Sequence, residues 1–157
     1  MPADPPGLTF GQARLFDVPA IKALIDPYAG DDIMLPRSTT ELFENIREYV
    51  LCREADEVLG CGSVHIAAPD LAELRAVAVH PDHHGRGIGR AIVDHCLEDA
   101  RRYGLPRVFT LTLEPAFFAR AGFREVDRQS LTQKVWQECY RCPKFEHCDE
   151  TAMILDL

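Results

Sequence analysis

The chain has 157 residues, of which 46% are hydrophobic and 27% charged, and its formal net charge is −8. That size and balance suit one globular domain over residues 1–157 with a substantial core. The negative charge weighs against general nucleic-acid or membrane-surface binding, and no run approaches the ~18–20 apolar residues of a membrane span.

The opening Met1-Pro2-Ala3-Asp4-Pro5-Pro6 is polar and proline-rich and carries no secretory pattern, so residues 1–6 are expected to be flexible and the address cytoplasmic. Leu8-Thr9-Phe10 alternates with its neighbours as a first strand. Asp17 is placed to cap a helix with Pro19 in its first turn, and Ile21, Leu24 and Ile25 give the apolar stripe up to Tyr28. Gly30-Asp31-Asp32 is a turn. Ser38-Thr39-Thr40-Glu41 has capping-box spacing, with Leu42, Ile46, Tyr49 and Val50 on one helical face and Arg37 just before the cap. Tyr49 to Arg53 then turns extended. After the polar turn 54–57, Val58 to Ile66 alternates weakly, and Gly60 and Gly62 suggest bulges or close backbone approach.

Leu71 to Val79 reads as a buried strand whose only charges are Glu73 and Arg75. A proline-marked turn follows, then the glycine-rich run His84-Gly85-Arg86-Gly87-Ile88-Gly89-Arg90 and a helix carrying Ile88, Ala91, Ile92, Ala100 and Tyr103, stopped by Gly104. A helix N-terminus offers unpaired N–H groups and partial positive charge, the glycines clear a close approach, and Arg86 and Arg90 add charge. The stretch is a phosphate cradle. It is not a P-loop, because no Gly-Lys-Ser/Thr follows. Nor is it a dinucleotide fingerprint, because the third glycine comes one residue early and the later acidic residue is missing. Arg75 to Arg107 is also locally basic in an acidic chain, which favours a small polyanion as ligand.

Residues 107–113 form another strand, Glu114-Pro115 opens a short helix through Phe118, and Gly122-Phe123 starts the next extended piece. Segment 124–151 is expected to be partly irregular, and Ala152 to Leu155 is the last strand. The order β-α-α-β-β-β-α-β-α-β-loop-β implies an α/β (α+β) fold, a mixed sheet with helices on both faces.

Six cysteines without a secretory pattern are expected to be reduced. Cys52, Cys61 and Cys96 lie in apolar surroundings and read as core packing. Cys139, Cys142 and Cys148, with His147 adjacent, have half of a zinc-site spacing. Thiols packed under a loop are the simpler reading, so no metal is assigned.

The strand ending Val77-Ala78-Val79-His80-Pro81, the glycine run and Phe117-Phe118-Ala119-Arg120-Ala121-Gly122-Phe123 together resemble the GNAT N-acetyltransferase superfamily. The family loop pattern has Gln or Arg where this chain has His84. The element order resembles GNAT topology throughout, with a mixed, mostly antiparallel central sheet. Asp17 to Ile21, Leu35-Pro36-Arg37-Ser38, Glu73 to Val79, Lys134-Val135-Trp136 and Cys142-Pro143-Lys144-Phe145 are similar to short N-acetylglutamate synthase-like proteins.

The resemblance implies acetyl-CoA as donor and direct attack by the α-amine of L-glutamate, the first step of arginine biosynthesis. It assigns the pantetheine arm to Val77, Ala78 and Val79, and the pyrophosphate to Gly85, Arg86, Gly87, Ile88, Gly89 and Arg90, preceded by His84. Glu73 is the candidate base, with a cross-strand ion pair to an arginine as its alternative role. Phe118 replaces the tyrosine that many GNAT enzymes use as general acid, which leaves Thr112, Thr110 or water. Arg37 suits a carboxylate of the acceptor. Other acceptors remain open, among them glutamine, another amino acid or a protein N-terminus. So does a sensing module without turnover. A homodimer is expected only by analogy with the family.

Overall fold

The computed structural model describes residues 3–131 and 149–157. Among the described residues, seven strands form one sheet in the order β1-β2-β3-β4-β5-β7-β6. They are β1 (Thr9–Gln12), β2 (Tyr49–Glu54), β3 (Glu57–Ala68), β4 (Leu71–Val79), β5 (Arg107–Thr112), β6 (Arg124–Glu125) and β7 (Thr151–Asp156). Every neighbouring pair is antiparallel except β4 and β5. Helices α1 (Val18–Gly30) and α2 (Thr39–Glu44) cover one face, where Ile21, Leu24, Ile25 and Leu42 bury against Leu51, Cys61 and Ala78. Helix α3 (Ile88–Arg102) and Phe118 of α4 (Pro115–Arg120) cover the other, packing on Val64, Ala72, Leu74 and Val108.

Helix α3 has the strongest local instructions. Ile88, Ala91, Ile92, Val93, Cys96, Leu97 and Ala100 are its buried stripe. Arg101 and Arg102 fall in its last turn, where cations suit the dipole, and Gly104 follows at φ +78°. Its close seat on the sheet depends on two glycines of β3. A Cβ on Gly60 would meet Ile92 Cδ1 at 2.8 Å, and one on Gly62 would meet Ile92 Cγ2 at 2.5 Å. These are the close approaches expected from the sequence.

The structure decides between two readings of Tyr49 and Val50, extended as expected for residues 49–53 and not part of the helical face, and it corrects the cap expected at Asp17. Helix α2 ends at Glu44, short of Tyr49 and Val50, which belong to β2 and pair with Ser63 and Gly62. Ladder pairing and burial outweigh an apolar spacing that also fits a helix. The Ser38 hydroxyl accepts the Glu41 N–H at 3.1 Å, as its spacing suggested. Asp17 makes no side-chain cap on α1. Its buried carboxylate accepts from Arg14 N at 2.7 Å and Arg53 Nη2 at 2.6 Å, fastening the chain before α1 to β2.

Strand β4 carries a bulge. Its register against β3 shifts between the pairs Ser63–Arg75 and Cys61–Ala78, and Ala76 there has φ +56°. Ala72 and Leu74 face α3, and after the extra residue Val77 and Val79 do so too, while Ala76 and Ala78 face α1. Glu73 and Arg75 therefore share the α1 face with Ala76 and Ala78.

Cys52, Cys61 and Cys96 are buried free thiols, as their setting implied. Cys139, Cys142, His147 and Cys148, with Lys134-Val135-Trp136 and Cys142 to Phe145, lie outside the described residues.

Two outcomes are expected. Gly62→Ala should lower stability by about 1–3 kcal/mol in thermal or denaturant unfolding, because the Ile92 side chain and α3 must shift. Burial pushes the Cys52 thiol up to about 11 and Cys61 up to about 12, so little thiolate exists near neutral pH. Peptide mapping after iodoacetamide treatment at pH 8 should find both unmodified in the native protein and alkylated once it is unfolded.

Candidate active site

Strands β4 and β5 pair only at Ala72–Val108 and Glu73–Phe109. Just beyond, the buried Thr110 hydroxyl donates to the Leu74 carbonyl at 2.9 Å, a side chain standing where a ladder N–H would otherwise serve. From Arg75 to Val79, β4 has no β5 partner, although β3 still pairs with its other edge. The parting leaves a row of β4 backbone groups facing a gap in the sheet. An extended ligand with amide groups can pair there as a strand would.

The glycine run lies at the far end of that gap. His80, Pro81, Asp82 and His83 form a tight turn in which His80 Nδ1 accepts the Asp82 N–H at 3.1 Å. Gly85 at φ +81° and Gly87 at φ +78° supply left-handed backbone, and Gly87 caps α3. The first-turn N–H groups of α3 are donors of the kind that can hold an anion. Gly89 lies against α4, since a Cβ there would reach Phe117 Cζ at 3.4 Å.

The arginines of the run already have partners. Arg86 forks onto Glu54 at 2.6 and 3.4 Å, contacts His83 Nδ1 at 2.8 Å, and holds the Glu54 carboxyl below its usual range. Arg90 donates to Asp94 at 3.2 Å and to the Arg120 carbonyl at 2.9 Å.

Sequence reasoning missed one residue that shapes the loop. Tyr28, at the end of α1, donates its hydroxyl to the Val79 carbonyl at 2.5 Å. His84 Nε2 lies 3.0 Å from that hydroxyl oxygen and 3.1 Å from the same carbonyl. Since the phenol proton goes to Val79, these contacts are hydrogen bonds only if Nε2 carries the imidazole proton. The departure at His84 thus ties the loop to α1 and to the end of β4. Burial, with Cys61 nearby, raises the Tyr28 pKa and keeps the phenol protonated.

On the α1 face of the parting lies a buried polar group. Glu73 pairs in register with His65, and Arg75 with Ser63, which in turn pairs with Tyr49. Arg75 Nη1 is 3.5 Å from Glu73 Oε1, and its Nη2 is 3.8 Å from Glu48 Oε2. Glu48 also meets His65 Nδ1 at 2.9 Å and accepts the Ser63 hydroxyl at 3.4 Å. Burial raises the Tyr49 phenol pKa, with the charges of Cys61 and Glu48 adding to it and those of Arg37 and Arg75 opposing it. Arg37 is itself buried, with Nη1 3.8 Å from Glu41 and its carbonyl accepting from Lys22 at 3.1 Å. Glu73 does form an ion pair with an arginine, Arg75, two residues along the same strand and not across strands.

On β5, Thr110 has committed its proton to Leu74. Thr112 Oγ1 accepts the Glu114 N–H at 2.8 Å, which leaves its own hydroxyl proton to donate. Phe118 is buried edge-on against Phe117 and Phe123, with ring centroids 4.9 and 5.5 Å apart. Two signals for this cluster were present in the sequence: Glu73 and Arg75 were the only charges on an apolar strand, and at i and i+2 they share a face. Nothing in the sequence placed Glu48 or His65 beside them.

Comparison with known proteins agrees with this geometry. A family model described as the acetyltransferase (GNAT) family matches residues 19–123. An uncharacterized N-acetyltransferase of Chlorobaculum tepidum is 38% identical over 145 residues, which are 92% of this chain and 94% of that protein. An amino-acid acetyltransferase of Mycobacterium tuberculosis is 46% identical over 133 residues, covering 83% of this chain and 76% of that protein. A solved Mycobacterium tuberculosis structure in complex with CoA and NLQ superposes with a TM-score of 0.83 at 37% identity, covering 95% of this chain and 99% of that one. N-acetylglutamate synthase from Neisseria gonorrhoeae, complexed with coenzyme A and N-acetyl-glutamate, superposes with a TM-score of 0.87 at 27% identity. That match covers 99% of this chain but 36% of the synthase. Among the described residues, no helix is long and apolar enough to cross a membrane.

Tyr28→Phe removes one donor from the Val79 carbonyl and one acceptor from His84. It should cost about 1 kcal/mol of stability, read as a lower unfolding midpoint at unchanged denaturant dependence.

Proposed function

Since the chain belongs to the GNAT acetyltransferase family, we propose that it transfers the acetyl group of acetyl-CoA to the α-amine of L-glutamate. The observation that carries this reading is the buried Glu73 carboxylate beside Arg75 at the parting of β4 and β5, in a chain whose Arg37 is buried as well. An amino-acid acceptor needs a base for its ammonium and cations for its carboxylates. The names of the Mycobacterium relative and of the gonococcal synthase point the same way.

In this reading the pantetheine arm lies along Val77, Ala78 and Val79, with its amides facing the stretch of β4 that β5 does not pair. The pyrophosphate sits on the backbone N–H groups from Gly85 to Arg90, with His84 holding the loop against Tyr28 and Val79. Arg86 and Arg90 stiffen the loop through Glu54, Asp94 and the Arg120 carbonyl, and their charges reinforce the helix terminus. Arg37 binds a carboxylate of the acceptor.

Glu73 takes a proton from the ammonium, directly or through one water. The amine lone pair attacks the thioester carbon, a C–N bond forms, and the C–S bond breaks. The departing thiolate receives its proton from Thr112 or water. The sum is ammonium plus thioester giving amide, thiol and one released proton. Glutamate acetylation would place the chain in arginine biosynthesis, with a soluble, cytoplasmic setting.

Acetyl-CoA-dependent thiol release tests the reading with glutamate, glutamine and short peptides as acceptors. Glutamate should have the highest kcat/KM. Glu73→Gln should lower kcat about 100- to 1,000-fold with the acetyl-CoA KM little changed. Arg37→Ala should raise the glutamate KM about 10- to 100-fold. Preference for glutamine or a peptide would replace the acceptor, and unchanged turnover in Glu73→Gln would remove the base.

A further inference from the structure

The carbonyl that ends β4 is already taken. In the peptide unit joining Val79 to His80, the N–H donates to the Leu59 carbonyl of β3 at 2.8 Å. A trans peptide points its C=O the opposite way, so the Val79 carbonyl faces away from β3, on the side that β5 leaves unpaired. Two donors meet it there, the Tyr28 hydroxyl at 2.5 Å and His84 Nε2 at 3.1 Å. A carbonyl oxygen has two lone pairs, and both are committed. An arriving amide N–H must find its acceptors upstream. We infer that Tyr28 is a positioning residue of the donor site: by closing the Val79 carbonyl and holding His84, it fixes where the pantetheine arm ends and the diphosphate begins. This rests on the donor site proposed above and deepens it.

Three observations support the assignment. The first is the anchoring of Tyr28 itself. Its carbonyl accepts the Ile33 N–H at 2.9 Å, and its half-buried side chain packs against the core cluster that includes Ile25 and Ala78. The hydroxyl is therefore presented from a fixed base. The second is its place among the ties on the loop. Arg86 binds Glu54 of β2, and Arg90 binds Asp94 and the Arg120 carbonyl. The tie from His84 to Tyr28 and Val79 is the one of these that reaches β4. The third is the state of the phenol. Burial raises its pKa, so the proton that Val79 accepts is present at neutral pH.

The consequence lies in how a two-part ligand binds. Arm and diphosphate reinforce each other only when the two subsites are held at the spacing the ligand has. Tyr28 sets that spacing, because the same hydroxyl meets the last carbonyl of the strand and the residue that opens the loop. Loss of the hydroxyl leaves each subsite formed and loosens one against the other. A donor that has the arm alone is then little affected, and a donor that spans both loses affinity.

The test measures acetyl transfer from acetyl-CoA and from S-acetylpantetheine, which keeps the arm and lacks the diphosphate, in wild type, Tyr28→Phe and His84→Ala. Wild type should prefer acetyl-CoA. Tyr28→Phe should raise the acetyl-CoA KM about 5- to 10-fold and leave kcat, the glutamate KM and the S-acetylpantetheine kcat/KM within about twofold. The preference for acetyl-CoA then shrinks by the same factor, which a loss of stability alone would not produce below the melting temperature. His84→Ala should act alike, and the double variant should add less than about twofold to either, since both work through one cluster. Tyr28→Phe keeping the wild-type preference would overturn the inference, as would additive effects of the two substitutions. Should Tyr28→Phe fail to fold, His84→Ala, at an exposed position, decides in the same way. If wild type acetylates no amino acid, the proposed acceptor fails, and calorimetry with CoA and pantetheine reads the preference directly. Equal binding of the two by wild type overturns the inference together with the diphosphate site. A preference for CoA that shrinks in Tyr28→Phe sustains it.

Discussion

The site depends on a sheet that stops being a sheet. Two parallel strands normally keep exchanging backbone bonds along their length, because leaving buried N–H and C=O groups unpaired is costly. Here β4 and β5 share the pairs Ala72–Val108 and Glu73–Phe109 and then part. The parting is held open at both sides. Thr110 ends the ladder by serving the Leu74 carbonyl with a side chain, and the extra residue at Ala76 turns β4 out of phase. In the proposed function a ligand that supplies amide partners along Val77 to Val79 would complete the sheet, and the fold and the donor site would be one construction.

The bulge has a second consequence. It lets one strand serve two kinds of face in sequence. Val77 and Val79 pack toward α3, with Ile92 seated on Gly60 and Gly62, while Glu73 and Arg75 stay on the α1 face with Glu48 and His65. Without the extra residue, Val77 would fall in phase with Arg75 and α3 would lose its apolar floor. Tyr28 then joins the two sides, because it belongs to α1 yet bonds the carbonyl that ends β4 and the histidine that opens the loop.

Most of the order of elements was legible in the sequence, and so was the loop, because both are written locally. Glycines at 85, 87 and 89, an apolar stripe from Ile88 and a stop at Gly104 need no partner to be read. Gly60 and Gly62 were legible as close approaches, though not what approached. Ambiguous spacing needed a partner to decide it: Leu42, Ile46, Tyr49 and Val50 fit a helical face and Tyr49 to Arg53 an extended run, and pairing with Gly62 and Ser63 makes Tyr49 and Val50 strand. Asp17 failed for a similar reason, since Arg53 lies 36 positions away. The polar cluster was half legible. Glu73 and Arg75 stand out on an apolar strand, but His65 faces Glu73 only through the β3–β4 register, and Glu48 enters from the turn before β2.

Charge shows why local chemistry outweighs composition here. A net charge of −8 repels polyanions, and the basic run from Arg75 to Arg107 invited the idea that arginines reverse that locally. In the folded chain those arginines face carboxylates: Arg86 meets Glu54, Arg90 meets Asp94, Arg101 meets Glu98, Arg102 meets Asp99 and Arg107 meets Asp156. Exposed pairs of this kind contribute little stability and largely cancel one another's field at a distance. The attraction left over is short-ranged and directional, made of N–H groups at the start of α3 exposed by glycines whose backbone needs no side chain. Such a cradle is selective by shape. In the proposed function it would hold a phosphate that can reach the bottom of the turn and give little to a nucleic acid, whose phosphates must first cross an acidic surface.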